Sequence, residues 1–126
     1  MPIRSSQDLV LVRQAVRTWS AELKFSLVEQ TKMVTAASEL ARNTLDYGKG
    51  GHVKLEVVQD GLRRGLRLCF EDQGPGIPDI NQALRDGYTS GGGMGLGLGG
   101  SKRLVNEFEI VSKVGEGTRV TVTRWK

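Results

Sequence analysis

From residue 9 onward the apolar positions Leu9, Val12, Ala15, Val16, Trp19 and Leu23 return every three or four residues, the period of a helix with one buried side. Ser5 and Asp8 in "SSQD" stand at capping-box spacing ahead of them, which predicts a first helix over about residues 7–24. A second box, Ser26 with Glu29, precedes a stripe of Leu27, Gln30, Val34, Ala37, Ala41 and Leu45. The glycines of "YGKGG" end that second helix near Gly48. The period then changes to two. In "HVKLEVV", Val53, Leu55 and Val57 share one face of a strand, "QDGLRRG" turns the chain, and Leu66, Leu68 and Phe70 line the returning strand. A short helix near 79–86, a glycine tract over 91–100 and a short helix over about 101–106 follow. "FEIVSKV", a turn at "GEGT" and "RVTVTRW" close the chain as a second hairpin.

Helices, hairpin, short helices, hairpin is the order of an α+β fold. The expected architecture is a two-layer sandwich, a mixed and mainly antiparallel sheet with helices on one face, formed by residues 1–126 as a single domain. At 126 residues and 38% hydrophobic content the chain can bury a real core. It has no apolar run near the ~20 residues of a membrane span and no signal-peptide core. One cysteine, Cys69, excludes an internal disulfide framework. A cytoplasmic protein is expected, without membrane. The net charge of +4 comes from 18 basic residues spread along the chain, the tightest group being Arg63, Arg64 and Arg67. With no aromatic-interleaved basic stripe, nucleic acid is not expected as a partner.

Two positions disturb the pattern. Period two puts Asp72 on the face of Leu66, Leu68 and Phe70, where a carboxylate is costly unless something hydrogen-bonds to it. Either the strand frays at Glu71 and Asp72 merely opens the turn "DQGPG", or the carboxylate serves a partner beside that rigid loop. On the second helix, Glu39 and Asn43 lie opposite the apolar stripe, about 40° apart. They share a solvated face with Thr35, Arg42 and Asp46, or they look together across a cleft. In the second case they are hard oxygen ligands and a proton acceptor, the types a magnesium–phosphate site uses.

The tract "GGGMGLGLGG" has three phosphate-binding readings. A Walker A loop fails, because no Gly-Lys is followed by Ser or Thr. A dinucleotide fingerprint matches Gly95, Gly97 and Gly100 literally, but no strand leads into it and too little chain follows. The third is a glycine lid over a nucleotide's phosphates, leading into a helix whose free N–H groups face the anion.

"ELARNTLDYGKGG" resembles the N-box of the ATPases grouped as gyrase, Hsp90, histidine kinase and MutL, the GHKL superfamily with the Bergerat fold. "DQGPGI" resembles their first glycine box, "GGMGLGLGG" their second, and "GEGTRVTV" their closing Gly-Thr segment. Within that superfamily, "ASELARNTLDYGKGG" and "GLGLGGSKRLVNEFEIVSKVGEGTRV" are most similar to the RsbT-type anti-sigma-factor serine/threonine kinases of the stressosome, and the likeness runs from "PIRSSQD" to the end.

The resemblance implies roles position by position. Glu39 would be the general base for a target Ser or Thr hydroxyl, and Asn43 would bind Mg²⁺ bridging the phosphates. Asp72 would accept from the adenine amino group, Gly74 and Gly76 would let backbone pass close to the base, and Thr118 would support the Asp72–adenine contact. Gly93, Gly95, Gly97 and Gly99, with Leu96 and Leu98 between them, would follow the phosphates of ATP. The Gly100 and Ser101 N–H groups would cap them. Lys102 and Arg103 are candidate charge partners, although a short amphipathic helix would expose them anyway. Some relatives carry a lid arginine, whereas residues 88–100 hold no Arg or Lys. The charge must then come from Lys102, the metal or a partner.

The implied function is an ATP-dependent serine/threonine kinase of a partner switch. Its substrate would be a STAS-domain antagonist protein, and its second partner a PP2C-type phosphatase that it binds and activates once released. The alternatives are an anti-sigma factor that sequesters a sigma factor directly and a nucleotide-dependent scaffold without transferase activity. His52 reads as an exposed strand residue, and Trp19, Trp125 and Cys69 as packing.

Overall fold

The computed structural model describes residues 1–77, 79–84 and 97–126. In chain order the elements are β1 (Pro2–Ile3), α1 (Ser6–Glu22), α2 (Leu27–Asp46), β2 (Gly51–Asp60), β3 (Arg63–Asp72), α3 (Ile80–Ala83), α4 (Gly97–Arg103), β4 (Glu107–Lys113) and β5 (Gly117–Trp125). The strands form one sheet in the order β1-β2-β3-β5-β4. Every pairing in it is antiparallel, so the expected mixed sheet has no parallel pair among the described residues.

The period-two reading of the strands holds. Val53, Leu66, Leu68, Phe70, Val120 and Val122 are buried on the face that meets the helices, together with Met33, Ala37 and Leu40 from α2 and Val12 and Val16 from α1. Each such side chain contributes about 1.5–3 kcal/mol by leaving water. The stripe fades toward the β2–β3 turn, where Val57 is 45% exposed. The opposite face is polar and satisfies itself: Arg67 reaches Thr123 Oγ1 at 3.1 Å and Glu56 at 3.8 Å, and Trp125 Nε1 donates to Glu107. Arg63 stacks over Trp125 and pairs with Asp60. The basic group at 63–67 is therefore partly engaged within the chain. His52 is exposed, 3.9 Å from Glu71, as read.

The two helix starts differ. Ser26 and Glu29 form the full reciprocal box at the start of α2. Ser5 makes no side-chain cap bond, and Asp8 instead accepts from the Arg4 N–H at 2.8 Å. Aspartate is one methylene shorter than the Glu of the usual box.

Three further elements depart from expectation. β1 has only two residues, too short for periodicity to reveal, yet Val53 N–H donates to Met1 O and the Met1 amino group to Val53 O. Helix α4 begins at Gly97, ahead of the expected 101, although glycine is a poor helix former. On α2 the buried residues are Met33, Ala36, Ala37, Glu39, Leu40, Ala41 and Thr44, while Leu27 at the head of the expected stripe is 76% exposed. The buried arc is turned by about a quarter of the helix relative to that stripe. The reason is that α2 is packed by α1, α4 and the sheet at once. Among the described residues no helix is long and apolar enough to cross a membrane.

Candidate functional site

The C-terminal end of α2 comes down on the end of β3. After Asp46 the chain caps at Tyr47, whose N–H bonds Asn43 O at 2.9 Å, and Gly48 N–H reaches the same carbonyl at 3.0 Å. Lys49 and Gly50 then take positive φ, and Gly50 N–H closes on Thr44 O at 2.9 Å. This tight reversal lays the bare backbone of Gly48 against the Asp72 side chain. A Cβ there would fall on the Asp72 carboxyl carbon. Gly74 in turn lies against Gly48, where a Cβ would come within 2.8 Å of its Cα and carbonyl oxygen. Gly51 sits over Thr44, whose Cγ2 a Cβ would meet at 2.9 Å.

Asp72 is the last residue of β3, paired with Gly51 on one side and Thr118 on the other, so the strand does not fray before it. The turn bond is made by one of its two oxygens. Oδ1 accepts from Gly74 N–H at 2.9 Å and opens the turn. Oδ2 remains beside Gly48. Burial pushes the carboxyl up from its ordinary value, and the N–H groups of Gly74 and Thr118 pull it back in part. Gly48, Gly51, Asp72 and Gly74, with Lys49, His52 and Glu71, line an open depression of about 290 Å³.

The loop after Asp72 is fastened to the β4–β5 hairpin. Gly76, at φ +78°, passes so close to Lys113 that any Cβ would strike its carbonyl oxygen. Gly115 N–H donates to Pro75 O at 2.7 Å and Ile77 N–H to Ser112 Oγ at 2.7 Å. Ser112 Oγ also lies 2.8 Å from Thr118 Oγ1. Gly117, at φ +109°, runs against the Asp72 carbonyl.

Glu39 stands one turn before Asn43 on α2. The face expected to be solvated is solvated only at Asp46; Glu39 is buried at 8% exposure and Asn43 is half-buried. Neither side chain has a hydrogen-bond partner among the described residues, and the Glu39 carboxylate oxygens keep access to solvent although the residue as a whole is buried. Asn43, Asp72, Gly74, Gly76 and Thr118 are thus gathered around the joined ends of α2, β3 and β5, with Glu39 a turn further up the helix.

Gly97, Leu98, Gly99, Gly100, Ser101 and Lys102 are all in α4, which packs against α2. By helix geometry its free N–H groups within the helix are those of Gly97 to Gly99. Gly100 and Ser101, fourth and fifth in the helix, have their amides inside the helical ladder, and Ser101 is fully buried. Lys102 and Arg103 are exposed in the last turn, and Arg103 is already engaged. Gly93, Gly95 and Leu96 lie outside the described residues.

Sequence reasoning treated Gly48 only as a helix end and passed over Gly51 and Ser112. The doubled turn "YGKGG" carries a signal for the glycines, since a helix stop needs only one. Ser112, one polar residue in an alternating strand, carries none.

Residues 28–126 match the model of the histidine kinase-, DNA gyrase B- and HSP90-like ATPases. The chain is 45% identical over 123 residues to a Bacillus subtilis protein named serine/threonine-protein kinase RsbT, covering 98% of this chain and 92% of that one. It is 31% identical over 128 residues to an anti-sigma F factor of Clostridium kluyveri, covering 97% and 89%. A solved structure of the mycobacterial sensor histidine kinase MprB aligns over 73% of this chain and 71% of its own, with TM-score 0.48 and 23% identity, and adds nothing to these likenesses.

Proposed function

Because the chain belongs to the histidine kinase-, DNA gyrase B- and HSP90-like ATPase family, we propose that it is a serine/threonine protein kinase holding ATP at the joined ends of α2, β3 and β5. Family membership implies ATP binding; the residue roles are our reading. The observation that supports it most is Glu39, a residue only 8% exposed whose carboxylate has no hydrogen-bond partner among the described residues, one turn from Asn43.

In this reading Asp72 accepts from the adenine amino group through Oδ2, since Oδ1 is committed to Gly74. Gly74 and Gly76 keep the loop close to the base, and Thr118 flanks the contact. Asn43 offers its amide oxygen to Mg²⁺. No group of three His, Cys, Asp or Glu that could cage a metal exists among the described residues. An ion here would be held by that amide, water and phosphate oxygens. When bound, magnesium would neutralise charge on the phosphates. The first-turn amides of α4, from Gly97 to Gly99, face the same anion, with Gly100 keeping the helix start bare and Lys102 as an added charge; Gly93, Gly95 and Leu96 belong to the same phosphate stretch.

Glu39 takes the proton of the target hydroxyl as that oxygen bonds to the γ-phosphorus. The bond from that phosphorus to the β,γ-bridging oxygen breaks, and ADP leaves with the electron pair. A STAS-domain antagonist protein is the substrate we propose. A PP2C-type phosphatase is the target that the released kinase binds and activates, in the cytoplasm. The likeness to an anti-sigma F factor supports a second reading, in which the chain holds a sigma factor directly.

The test is transfer from γ-labelled ATP·Mg²⁺ to a STAS-domain protein of the same organism, by the wild type and by Glu39→Gln. We predict label on a partner Ser or Thr, with Glu39→Gln retaining ATP binding and transferring about 10²–10⁴-fold more slowly. Equal rates would remove Glu39 from the mechanism. No label despite ATP binding, with a sigma factor co-purifying, would favour the second reading.

A further inference from the structure

Ser112 faces Thr118 across the β4–β5 ladder, and Thr118 faces Asp72 across the β5–β3 ladder. Side chains directly opposed in this way have Cβ atoms about 4.5–5.5 Å apart, so the three form one row. The Ser112 hydroxyl has three neighbours: the Ile77 N–H at 2.7 Å, Thr118 Oγ1 at 2.8 Å and the Gly117 carbonyl at 3.2 Å.

A serine hydroxyl holds one proton and two acceptor positions. The Ile77 amide can only donate, and it occupies one acceptor position. The Gly117 carbonyl can only accept, and it takes the proton. What remains is a single acceptor position, which the Thr118 hydroxyl fills by donating. This assignment satisfies all four groups. The reverse, with Ser112 donating to Thr118, deprives Gly117 O of this bond and leaves an acceptor position of Ser112 empty. In a part-buried site such losses are costly. Thr118 therefore spends its proton on Ser112 and turns only lone pairs outward.

We propose that Ser112 is a specificity-determining positioning residue that fixes Thr118 as a hydrogen-bond acceptor. With Asp72 beside it, the base site then has an acceptor-only floor. Such a floor takes the amino group of a 6-aminopurine and repels the keto oxygen of a 6-oxopurine. The inference rests on the reading of this end as the base site. The loop bonds from Gly115 to Pro75 and from Ile77 to Ser112 hold both acceptors on one braced unit.

Calorimetric titration of the wild type, Ser112→Ala and Ser112→Thr with ATP·Mg²⁺ and with GTP·Mg²⁺ tests this. The wild type is expected to prefer ATP. In Ser112→Ala the Thr118 proton is released and can turn toward a keto oxygen, so the ratio of the two affinities narrows by roughly tenfold. Ser112→Thr, which keeps the hydroxyl, is expected to keep the ratio. If Ser112→Ala weakens both nucleotides equally, Ser112 only braces the loop and the proposal is wrong. A wild type that binds neither nucleotide would instead overturn the base-site reading itself, and this inference with it.

Discussion

The sheet has two glycine-marked ends, and they use glycine differently. At the β2–β3 turn, Gly61 adopts φ +61° with nothing within 4 Å of where a Cβ would stand, next to a fully exposed Leu62. Glycine serves the backbone angle there. At the other end, Gly48, Gly74 and Gly117 would each drive a Cβ into backbone or into Asp72. Glycine serves proximity there, bringing α2, the loop after β3 and the β4–β5 hairpin into contact around one carboxylate. A turn needs only the first property. A site that presses backbone against a half-buried acid needs the second.

The sharpest way to break this contrast is to add one methyl group at each end. Gly48→Ala displaces Asp72 and is expected to weaken ATP binding by at least about tenfold, since it removes a charge-assisted hydrogen bond from the ligand. Gly61→Ala strains a left-handed backbone by about 1 kcal/mol and leaves ATP affinity unchanged. Titration of both variants, with their urea midpoints, decides it. Similar binding by the two would mean that the Asp72 end is only another turn.

Acid provides the next largest effect. Burial holds the Asp72 carboxyl above its ordinary 3.8. The folded chain keeps this proton longer than the unfolded one, so the group's contribution to stability falls as pH rises from 3.8 through the raised value. ATP binding runs the opposite way, because only the ionised carboxylate accepts from an amino group. Affinity should be full at neutral pH and decline on acidification, beginning above the ordinary aspartate range. In Asp72→Asn, affinity should be low and this acid dependence absent. A wild-type affinity flat down to 3.8 would take Asp72 out of the site.

The smallest effects belong to the helix starts, far from the carboxylate. Ser26→Ala should lower stability by about 1 kcal/mol because it opens a formed capping box. Ser5→Ala should cost less, since Ser5 makes no cap bond. Neither should alter ATP affinity, and denaturant titration measures the difference.

Periodicity disclosed the elements that bury one face. Leu66, Leu68 and Phe70 announce β3, and the Ser26–Glu29 pair announces α2. It misled where a helix is covered on several sides: the stripe through Leu27 and Val34 cannot show that α1, α4 and the sheet together bury Ala36, Glu39 and Thr44. It was silent where structure rests on a few bonds, as at β1 and at Ser112. Asp72 stood out in the sequence because it breaks the apolar face of Leu66, Leu68 and Phe70, whereas Glu39 lay on the polar side of its helix, where a solvated residue is ordinary. What gathers around Asp72 did not show, since it comes from Gly48 and Gly117 meeting it from distant parts of the chain.

The most direct test of the central claim is an amide ¹H–¹⁵N titration of the wild type with ATP·Mg²⁺. The account predicts that shift changes among the described residues gather at 39–51, 72–77, 97–103 and 112–118, while the β2–β3 turn at 60–63 stays still. Changes centred on that turn, or spread evenly over the sheet, would contradict it.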